Sequence, residues 1–435
     1  NERHIREIVP IVEQANTLAL KAGYAFGETT ELFNEQYQVP KAKLAPGKYR
    51  KITGNEAVVR GALQAGCNYF AGYPITPASS ILSDMILAFQ GGRGIAVQTE
   101  DEIAAIGQCI GASMAGAKAM TASSGPGLSL YSENIGLAQM GEVPLVIVNC
   151  QRMGPATGGA TATGEGDVMF ARHVTSGGYP LVVLAATDAA SAYRLSYLAF
   201  NIAESLRTPV ILLLSKDIAL TRQTVDLDDV VLPPRVERAQ ASPDGPFRPY
   251  AIADGTSVPA FSAIGGPHRV RFTGSIHDEN GLLTTDRRKI AAKLSHLREK
   301  ITPDRELFEY SDQDLSPDAR TLIISYGLAD GAAREAVSMI RRRGVPVSHL
   351  TLYCLWPVPQ RAILAAVTRN IERIVMPELN IGLYVDELRR VVRSASIESV
   401  ACFDGGLIPP TKIANHVLGD PDTSVPSEKK TECHC

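Results

Sequence analysis

The feature that most restricts the fold is a regular alternation of two kinds of segment between residues 51 and 232. Short runs that carry apolar residues on both faces alternate with longer segments whose apolar residues recur at helical spacing. The short runs are CNYFAGY, GIAVQTE, AKAMTASS, PLVIVNCQ, PLVVLAAT and PVILLLS. A strand that is apolar on both faces needs cover on both faces, and amphipathic helices supply that cover in parallel sheets. The pattern therefore predicts an α/β fold with a doubly wound parallel sheet.

The remaining sequence predicts a second domain and several connecting segments, since 435 residues exceed the ~250–300 at which one core stops growing. Residues 306–420 contain strand-like runs such as TLIISYG and VSHLTLYCL, which predict a smaller α/β unit. Residues 233–305 are rich in proline and polar residues and predict an extended wrap that ends in a charged helix. Residues 1–50 contain a helix, from residue 5 to 26, and a polar connector, and residues 421–435 form a polar tail.

Composition excludes several classes of protein. The net charge of −3 argues against a nucleic-acid-binding or anionic-membrane surface, and no apolar run approaches the ~20 residues of a membrane span. Most of the seven cysteines lie in apolar stretches of the sequence, which indicates buried, reduced thiols in a cytosolic protein. The terminal Cys433-His434-Cys435 lacks the spacing of a zinc or iron–sulfur framework, so it is assigned to a disordered tail.

Three consecutive acids, Glu100, Asp101 and Glu102, open a predicted helix. Acidic side chains stabilise the amino-terminal end of a helix, where the helix dipole is positive. This structural role is sufficient to explain the presence of the three acids as a group. Glu102 differs because the helix after it consists mostly of Ala, Ile and Gly, which pack closely and exclude water. An acid in such a place can hold a proton near neutral pH, so Glu102 is a candidate catalytic residue.

Two further candidates follow predicted strands. Thr76 lies in YPITP, between two prolines that stiffen the backbone, and it could contact a ligand or cap the next helix. For that helix we expect Ser79 or Ser80 to be the cap. Arg152 follows PLVIVNCQ at the end of a strand where such sheets bind ligands, and its guanidinium suits a carboxylate, with an internal salt bridge as the alternative.

The Gly/Thr/Ala-rich loop GPATGGATATGEGD comes directly after Arg152 and Met153. It can approach a ligand closely and offers the hydroxyls of Thr157, Thr161 and Thr163, or it is a flexible surface loop.

Several of these runs together resemble a known family. TGNEAVVRGALQAGC, AGYPITPASSI, QTEDEIAAIGQCIGAS and QRMGPATGGAT are similar to the α subunit of the 2-oxoacid:ferredoxin oxidoreductases. Later runs, including TLYCLWPVP and PELNIG, resemble that family's second domain, which is related to the C-terminal domain of transketolases. The resemblance covers about residues 50–420 and implies a pyrimidine-binding domain that binds thiamine diphosphate. Residues 1–50 resemble the end of the family's γ domain and its linker in fused γ–α chains.

The resemblance implies a reaction and roles for the candidate residues. The family uses thiamine diphosphate and coenzyme A to decarboxylate 2-oxoacids oxidatively, passes electrons through iron–sulfur clusters to ferredoxin, and runs in reverse to fix CO₂. Glu102 would face the aminopyrimidine ring nitrogen, and the turn of Tyr73, Pro74 and Ile75 would bind the same cofactor. In the substrate site, Arg152 would pair with the carboxylate, Thr76 would hydrogen-bond near the 2-oxo group, and Thr161 would select the side chain.

Two absences imply a partner. The family's Gly-Asp-Gly motif for diphosphate and Mg²⁺ does not occur, and neither does a four-cysteine cluster. A β subunit is therefore expected to supply Mg²⁺, the diphosphate site and the cluster, and two α–β pairs are expected to associate. The chain alone is expected to be inactive.

The sequence leaves more than one interpretation open for both the substrate and the class of reaction. The γ–α order favours 2-oxoglutarate, with pyruvate and branched-chain 2-oxoacids as alternatives. A transketolase-like transferase and a nonenzymatic nucleotide-binding subunit are the other classes with similar domains.

Overall fold

The computed structural model describes residues 10–30, 40, 45–253, 258–302 and 306–420. The chain divides into two compact units, residues 1–47 and residues 48–435. The first unit contains helix α1 (Pro10–Thr30), which overlaps the predicted helix but extends four residues further along the chain. The start of the predicted helix and the tail with Cys433, His434 and Cys435 lie outside the described residues.

A seven-stranded sheet forms the centre of the second unit, and all six predicted strands belong to it. Its strands are β2 (Tyr69–Gly72), β3 (Ile95–Gln98), β4 (Ala119–Ser123), β5 (Leu145–Gln151), β6 (Val182–Ala185), β7 (Pro209–Ser215) and β12 (Cys354–Trp356). Their order is β12-β6-β7-β5-β4-β2-β3. The first six are parallel, and β12 runs antiparallel to β6.

Helices cover both faces of this sheet. They are α2 (Gly54–Gln64), α3 (Ser79–Ala88), α4 (Glu102–Met114), α5 (Gly125–Met140), α6 (Val168–Arg172), α7 (Ala189–Leu206) and α8 (Lys216–Leu220). Alternate residues of β5 join different cores: Val146 and Val148 pack with α2, α3 and α7, whereas Leu145 and Ile147 pack with α4 and α5. The two-sided burial confirms the predicted doubly wound sheet.

The strand order changes direction more than once, and the first change lies between β2 and β4. From β2 the chain crosses to β3 on one side, and then returns to place β4 on the other side of β2. Ligands of doubly wound sheets bind at the carboxyl ends of the strands where the order reverses, so the β2–β4 edge is the expected binding crevice.

A second sheet of five strands lies later in the chain. It consists of β9 (Ser311–Asp314), β10 (Thr321–Ser325), β11 (Val347–Leu352), β13 (Arg373–Glu378) and β14 (Ser396–Ala401) in the order β14-β13-β10-β11-β9. All are parallel except the edge strand β9. The associated helices are α10 (Ala329–Arg342), α11 (Gln360–Ala366), α12 (Val385–Val391) and α13 (Pro410–Leu418).

The structure corrects the prediction of a single strand in VSHLTLYCL. The run divides at Tyr353 into β11, in the second sheet, and β12, which extends the first sheet beside β6. Tyr353 donates its amide to Tyr310 and accepts a hydrogen bond at its carbonyl from the Ala185 amide, at 3.0 and 2.8 Å. A continuous strand-like run carries no local signal of which sheet each half joins.

In its described residues, the segment after β8 (Gln223–Asp226) is largely irregular and ends in helix α9 (Arg287–Glu299). It is anchored by Arg238, whose guanidinium forms two hydrogen bonds of 2.6 and 2.7 Å with buried Glu204. The same guanidinium donates to the carbonyls of Ser113 and Ala117. A short antiparallel pair, β1 (Tyr49–Ile52) with β8 (Gln223–Asp226), was not predicted. The domain boundaries at residues 50, 232 and 305 stay predictions.

A second anchor joins α9 to the first domain. Glu142 is completely buried and accepts hydrogen bonds from Lys293, His296 and Lys300 at 2.5, 2.7 and 3.0 Å. Burial would raise the pKa of Glu142, but the three neighbours together hold it well below its ordinary value.

The five cysteines in the described ranges are free and buried, as predicted. Among the helices that the structure describes, none has the length and apolar character needed to cross a bilayer.

Candidate active site

Thr76, Glu102 and Arg152 each follow a strand of the first sheet and so lie at its carboxyl edge, where the strand order first reverses. The turn after β2 is held by Asn55 of α2, whose side-chain amide donates to the Pro77 carbonyl and to the Ser80 hydroxyl, both at 2.8 Å. The predicted cap at Ser79 or Ser80 is wrong, because α3 begins after Ala78 without a side-chain cap. Ser80 instead accepts the hydrogen bond from Asn55, which fixes the turn on the sheet.

Glu102 occupies the first position of α4 and is only 6% exposed, whereas the next residue, Ile103, is 50% exposed. Asp101 is the helix cap, since its carboxylate accepts a 2.7 Å hydrogen bond from the Ala104 amide. The Glu102 carboxyl lies over Gly127 of α5: a methyl group there would come within 2.8 Å of Oε1 and 2.9 Å of Cγ. Gly127, on a different helix from the small-residue one that follows Glu102, therefore forms the cradle in which this carboxyl is kept from water.

Arg152 is 7% exposed and directly follows β5. Its Nη1 donates to the Thr76 carbonyl at 2.7 Å, so the ends of β5 and β2 are joined across the end of β4. Its buried Nε has no hydrogen-bond partner, and none of the ion pairs within the described ranges includes it. Within the described residues, the alternative role of Arg152 in an internal salt bridge is therefore not supported. The guanidinium Nε stays unpaired and can donate to an anionic ligand.

The residues of the turn after β2 differ in their exposure and in the atoms through which they make contacts. Thr76 contacts Arg152 through its carbonyl rather than its hydroxyl. Tyr73, Pro74 and Thr76 are exposed, and Ile75 is partly buried against the α2–α3–α7 core. The turn is thus a firmly held backbone with an accessible outer surface.

The loop after Arg152 is fixed rather than free. Its first and last parts are joined by hydrogen bonds from the Met153 amide to Ala162 and from the Gly159 amide to Met153, at 3.1 and 2.9 Å. Thr161 is exposed, and its carbonyl accepts a 2.9 Å hydrogen bond from Lys216. The Thr163 hydroxyl is buried and bonded to Asp217, so it has a structural contact.

Sequence analysis missed a polar cluster beside Arg152. Asn149 donates to the Asp167 carboxylate at 2.9 Å, and the Asp167 amide donates to the Gln151 side chain at 3.1 Å. A methyl group on Gly125 would come within 2.9 Å of the same carboxylate. Burial raises the pKa of Asp167, although the Asn149 hydrogen bond and the Arg152 charge oppose the rise. Two amide side chains at the end of a fully buried strand were the available signal.

The crevice also holds polar atoms without partners. The hydroxyl of Ser124, directly before α5, and the side-chain oxygen of Asn149 are buried and form no hydrogen bond with any described residue. Together with Arg152 Nε, they leave one donor, one acceptor and one hydroxyl beside a buried carboxyl. Such groups rarely stay unpaired unless a ligand or water completes them, so the site suits a polar ligand that both donates and accepts hydrogen bonds.

Comparison with known proteins gives consistent matches. Residues 60–295 match the family described as pyruvate flavodoxin/ferredoxin oxidoreductase, thiamine diphosphate-binding, and residues 319–413 match pyruvate:ferredoxin oxidoreductase core domain II. The 2-oxoglutarate synthase subunits KorA of Methanothermobacter thermautotrophicus and Archaeoglobus fulgidus are 36% and 39% identical. The matches cover 84% and 85% of this chain and 97% and 98% of theirs.

A relative from Mycobacterium tuberculosis, 2-oxoglutarate oxidoreductase subunit KorA, is 37% identical over 87% of this chain and 59% of its own length. Among solved structures, the 2-oxoglutarate:ferredoxin oxidoreductase of Magnetococcus marinus matches with a TM-score of 0.85 and 27% identity, covering 96% of this chain and 73% of that one. These matches confirm the resemblance seen in the sequence motifs. The chain belongs to the family of 2-oxoacid:ferredoxin oxidoreductase α subunits, with a thiamine diphosphate-binding first domain.

Proposed function

We propose that this chain is the α subunit of an enzyme that decarboxylates 2-oxoglutarate oxidatively with coenzyme A and passes the electrons to ferredoxin. The observation that carries the proposal is the similarity, over nearly their full length, to subunits named 2-oxoglutarate synthase subunit KorA. The structural relative from Magnetococcus marinus, solved with 2-oxoglutarate, coenzyme A and succinyl-CoA bound, adds support.

The residues of the crevice fit thiamine diphosphate. When bound, this coenzyme supplies the nucleophilic carbon and the electron sink for decarboxylation. The Glu102 carboxyl would hydrogen-bond the aminopyrimidine ring nitrogen, and its burial over Gly127 excludes competing water, which strengthens such a bond. The turn of Tyr73, Pro74 and Ile75 would lie along the ring, while the unpaired Ser124 hydroxyl is available to the same ligand.

Arg152 is proposed to bind the substrate carboxylate. Its Nη1 is held by the Thr76 carbonyl, so the guanidinium plane is oriented before substrate arrives, and its unpaired Nε supplies the free donor. The Thr76 hydroxyl would contact the substrate near its 2-oxo group, and exposed Thr161 would meet the substrate side chain.

A β subunit is proposed to complete the site with Mg²⁺, the diphosphate-binding residues and an iron–sulfur cluster. Beside buried Glu102, the surface exposes Ile103 and Tyr73, which is 40% exposed. On the same face of α4, methyl groups at Gly107 and Gly111 would meet nothing within 4 Å. An exposed apolar face next to a catalytic carboxyl suits a protein partner, and we propose a dimer of α–β pairs.

The second candidate substrate is pyruvate, which the descriptions of both matched families name. Anaerobic reduction of a viologen dye by the α–β complex decides between them. We expect the highest kcat/KM with 2-oxoglutarate, strict dependence on coenzyme A, and no turnover by the α chain alone. Higher kcat/KM with pyruvate or a branched-chain 2-oxoacid would contradict the substrate, and turnover by the α chain alone would contradict the partner.

A further inference from the structure

The second sheet has a binding crevice of its own, and a residue of the first domain fills it. From β10 the chain crosses to β11 on one side and later places β13 on the other, so the strand order reverses between β10 and β13. The carboxyl ends of these two strands and the amino end of α10 surround the position where a ligand would bind in an ordinary doubly wound sheet.

Glu165, at the end of the loop that follows Arg152, occupies this crevice and is 1% exposed. Its Oε1 accepts a 2.9 Å hydrogen bond from the Leu328 amide, directly before α10. Its own amide donates to the Leu379 carbonyl at 2.8 Å, and its carbonyl accepts from Asn380 at 3.1 Å. A methyl group on Gly327 would collide with the Glu165 carboxyl, so the crevice is shaped to this side chain.

The charges around Glu165 are mostly negative. Glu378, at the end of β13, is completely buried and accepts hydrogen bonds from the Tyr326 hydroxyl and the Tyr384 amide at 2.9 and 2.8 Å. Asp217, on α8, is the other neighbouring carboxylate and forms an ion pair with Lys216 at 3.2 Å.

These surroundings control the protonation of Glu165. Burial, followed by the charges of Glu378 and Asp217, raises the pKa of Glu165 to about 8, although the Leu328 amide opposes the rise. At this pKa the carboxyl would be mostly protonated at neutral pH and would ionise as the pH rises through about 8. Ionisation would place a charge beside Glu378 in a site without a described cation partner, which favours release of the side chain.

The loop that carries the candidate substrate residues is held at both ends. Arg152 fixes its beginning to the Thr76 turn, and Glu165 fixes its end to the second sheet. Between them, the Thr163 amide donates to the Gly405 carbonyl at 3.2 Å. Movement of Glu165 would therefore be transmitted to Thr161 and Arg152.

We propose that Glu165 is a positioning residue whose carboxyl, inserted in the crevice of the second sheet, holds loop 153–164 in place to bind the 2-oxoacid. The part that concerns substrate rests on the function proposed above, whereas the anchoring of the loop does not.

The experiment compares Glu165→Gln and Glu165→Ala with the wild-type complex. Gln keeps an acceptor for the Leu328 amide but cannot ionise, whereas Ala loses the anchor. The matched control is Glu335→Gln, on the exposed face of α10, where the one ion pair that the carboxylate forms with a described residue is with exposed Arg342. Kinetics from about pH 6.5 to 9.5 give KM and kcat separately.

For the wild type we expect the KM of the 2-oxoacid to rise about threefold or more above pH 8, with a smaller change in kcat. Glu165→Gln should keep a low KM across the range, and Glu165→Ala should show a raised KM at every pH. Hydrogen exchange of the amides in residues 153–164 should accelerate about tenfold in Glu165→Ala and stay unchanged in Glu165→Gln and the control.

Unchanged KM and unchanged exchange in Glu165→Ala would overturn the proposal, and so would the wild-type pH response persisting in Glu165→Gln. If Glu165→Ala does not fold, the pH response of Glu165→Gln still decides. A wild-type complex that is inactive with every 2-oxoacid would refute the proposed function instead, while the exchange measurement would still decide whether Glu165 anchors the loop.

Discussion

Replacement of Gly127 by alanine tests the proposed role of Glu102 without changing Glu102 itself. The added methyl group would lie 2.8 Å from Glu102 Oε1 and 2.9 Å from its Cγ, and it would also collide with the Ser123 hydroxyl. Ordinary contact begins near 3.4 Å, so the carboxyl must move by about 0.6 Å or rotate away. Because α5 carries Gly127 on its buried face, the methyl group has no open space to occupy.

The size of the effect follows from this displacement. A misplacement of about 1 Å in an active site can reduce the rate ~10²-fold, so a shift of about 0.6 Å should reduce kcat/KM about 10- to 100-fold. This corresponds to about 1.4–2.7 kcal/mol in transition-state stabilisation. Overpacking should also lower the free energy of unfolding by about 1–3 kcal/mol.

The assay is viologen reduction by the assembled complex, with assembly checked by size-exclusion chromatography. Gly331→Ala is the control, because Gly331 also lies in a helix and a methyl group there meets nothing within 4 Å. Activity of Gly127→Ala within twofold of the wild type, in a fully assembled complex, would refute the view that Glu102 works from this cradle.

Three further outcomes are expected. Glu102→Gln should lower kcat ~10²-fold or more because acid–base work is lost, while Glu100→Gln, in an exposed position two residues earlier, should keep wild-type activity in the same assay. Arg152→Lys should raise KM for the 2-oxoacid about 10-fold, measured by initial rates, because an ammonium group cannot replace the planar fork; an unchanged KM would exclude this carboxylate contact. Arg238→Ala should destabilise the protein by about 3–5 kcal/mol in chemical denaturation, because it leaves buried Glu204 without its partner.

The features that could be predicted from the sequence are those that depend on residues close together along the chain. The six parallel strands were recognisable because each is apolar on both faces, and Glu102 because an acid precedes a helix of small residues. Arg152 was recognisable because it follows a buried strand. Each of these signals lies within a few positions along the chain.

The missed features depend on contacts between distant parts of the sequence. Asn55 holds the Pro77 carbonyl 22 residues away, and Glu165 binds the Leu328 amide 163 residues away. No local pattern distinguishes these polar residues from others of the same type. The same limit explains why the separate sheets of β11 and β12 were not predicted, since the pairing of β12 with β6 depends on packing rather than on its own residues.

The transfer of β12 into the first sheet restricts how the protein can be divided. β6 has β7 on one side and only this short strand from a later part of the chain on the other. A fragment that ends near residue 305 would leave the backbone of β6 as an open edge, where another chain could pair. The two α/β domains are therefore interlocked modules, and neither is a self-contained part to be exchanged between relatives at the boundary that composition alone suggests.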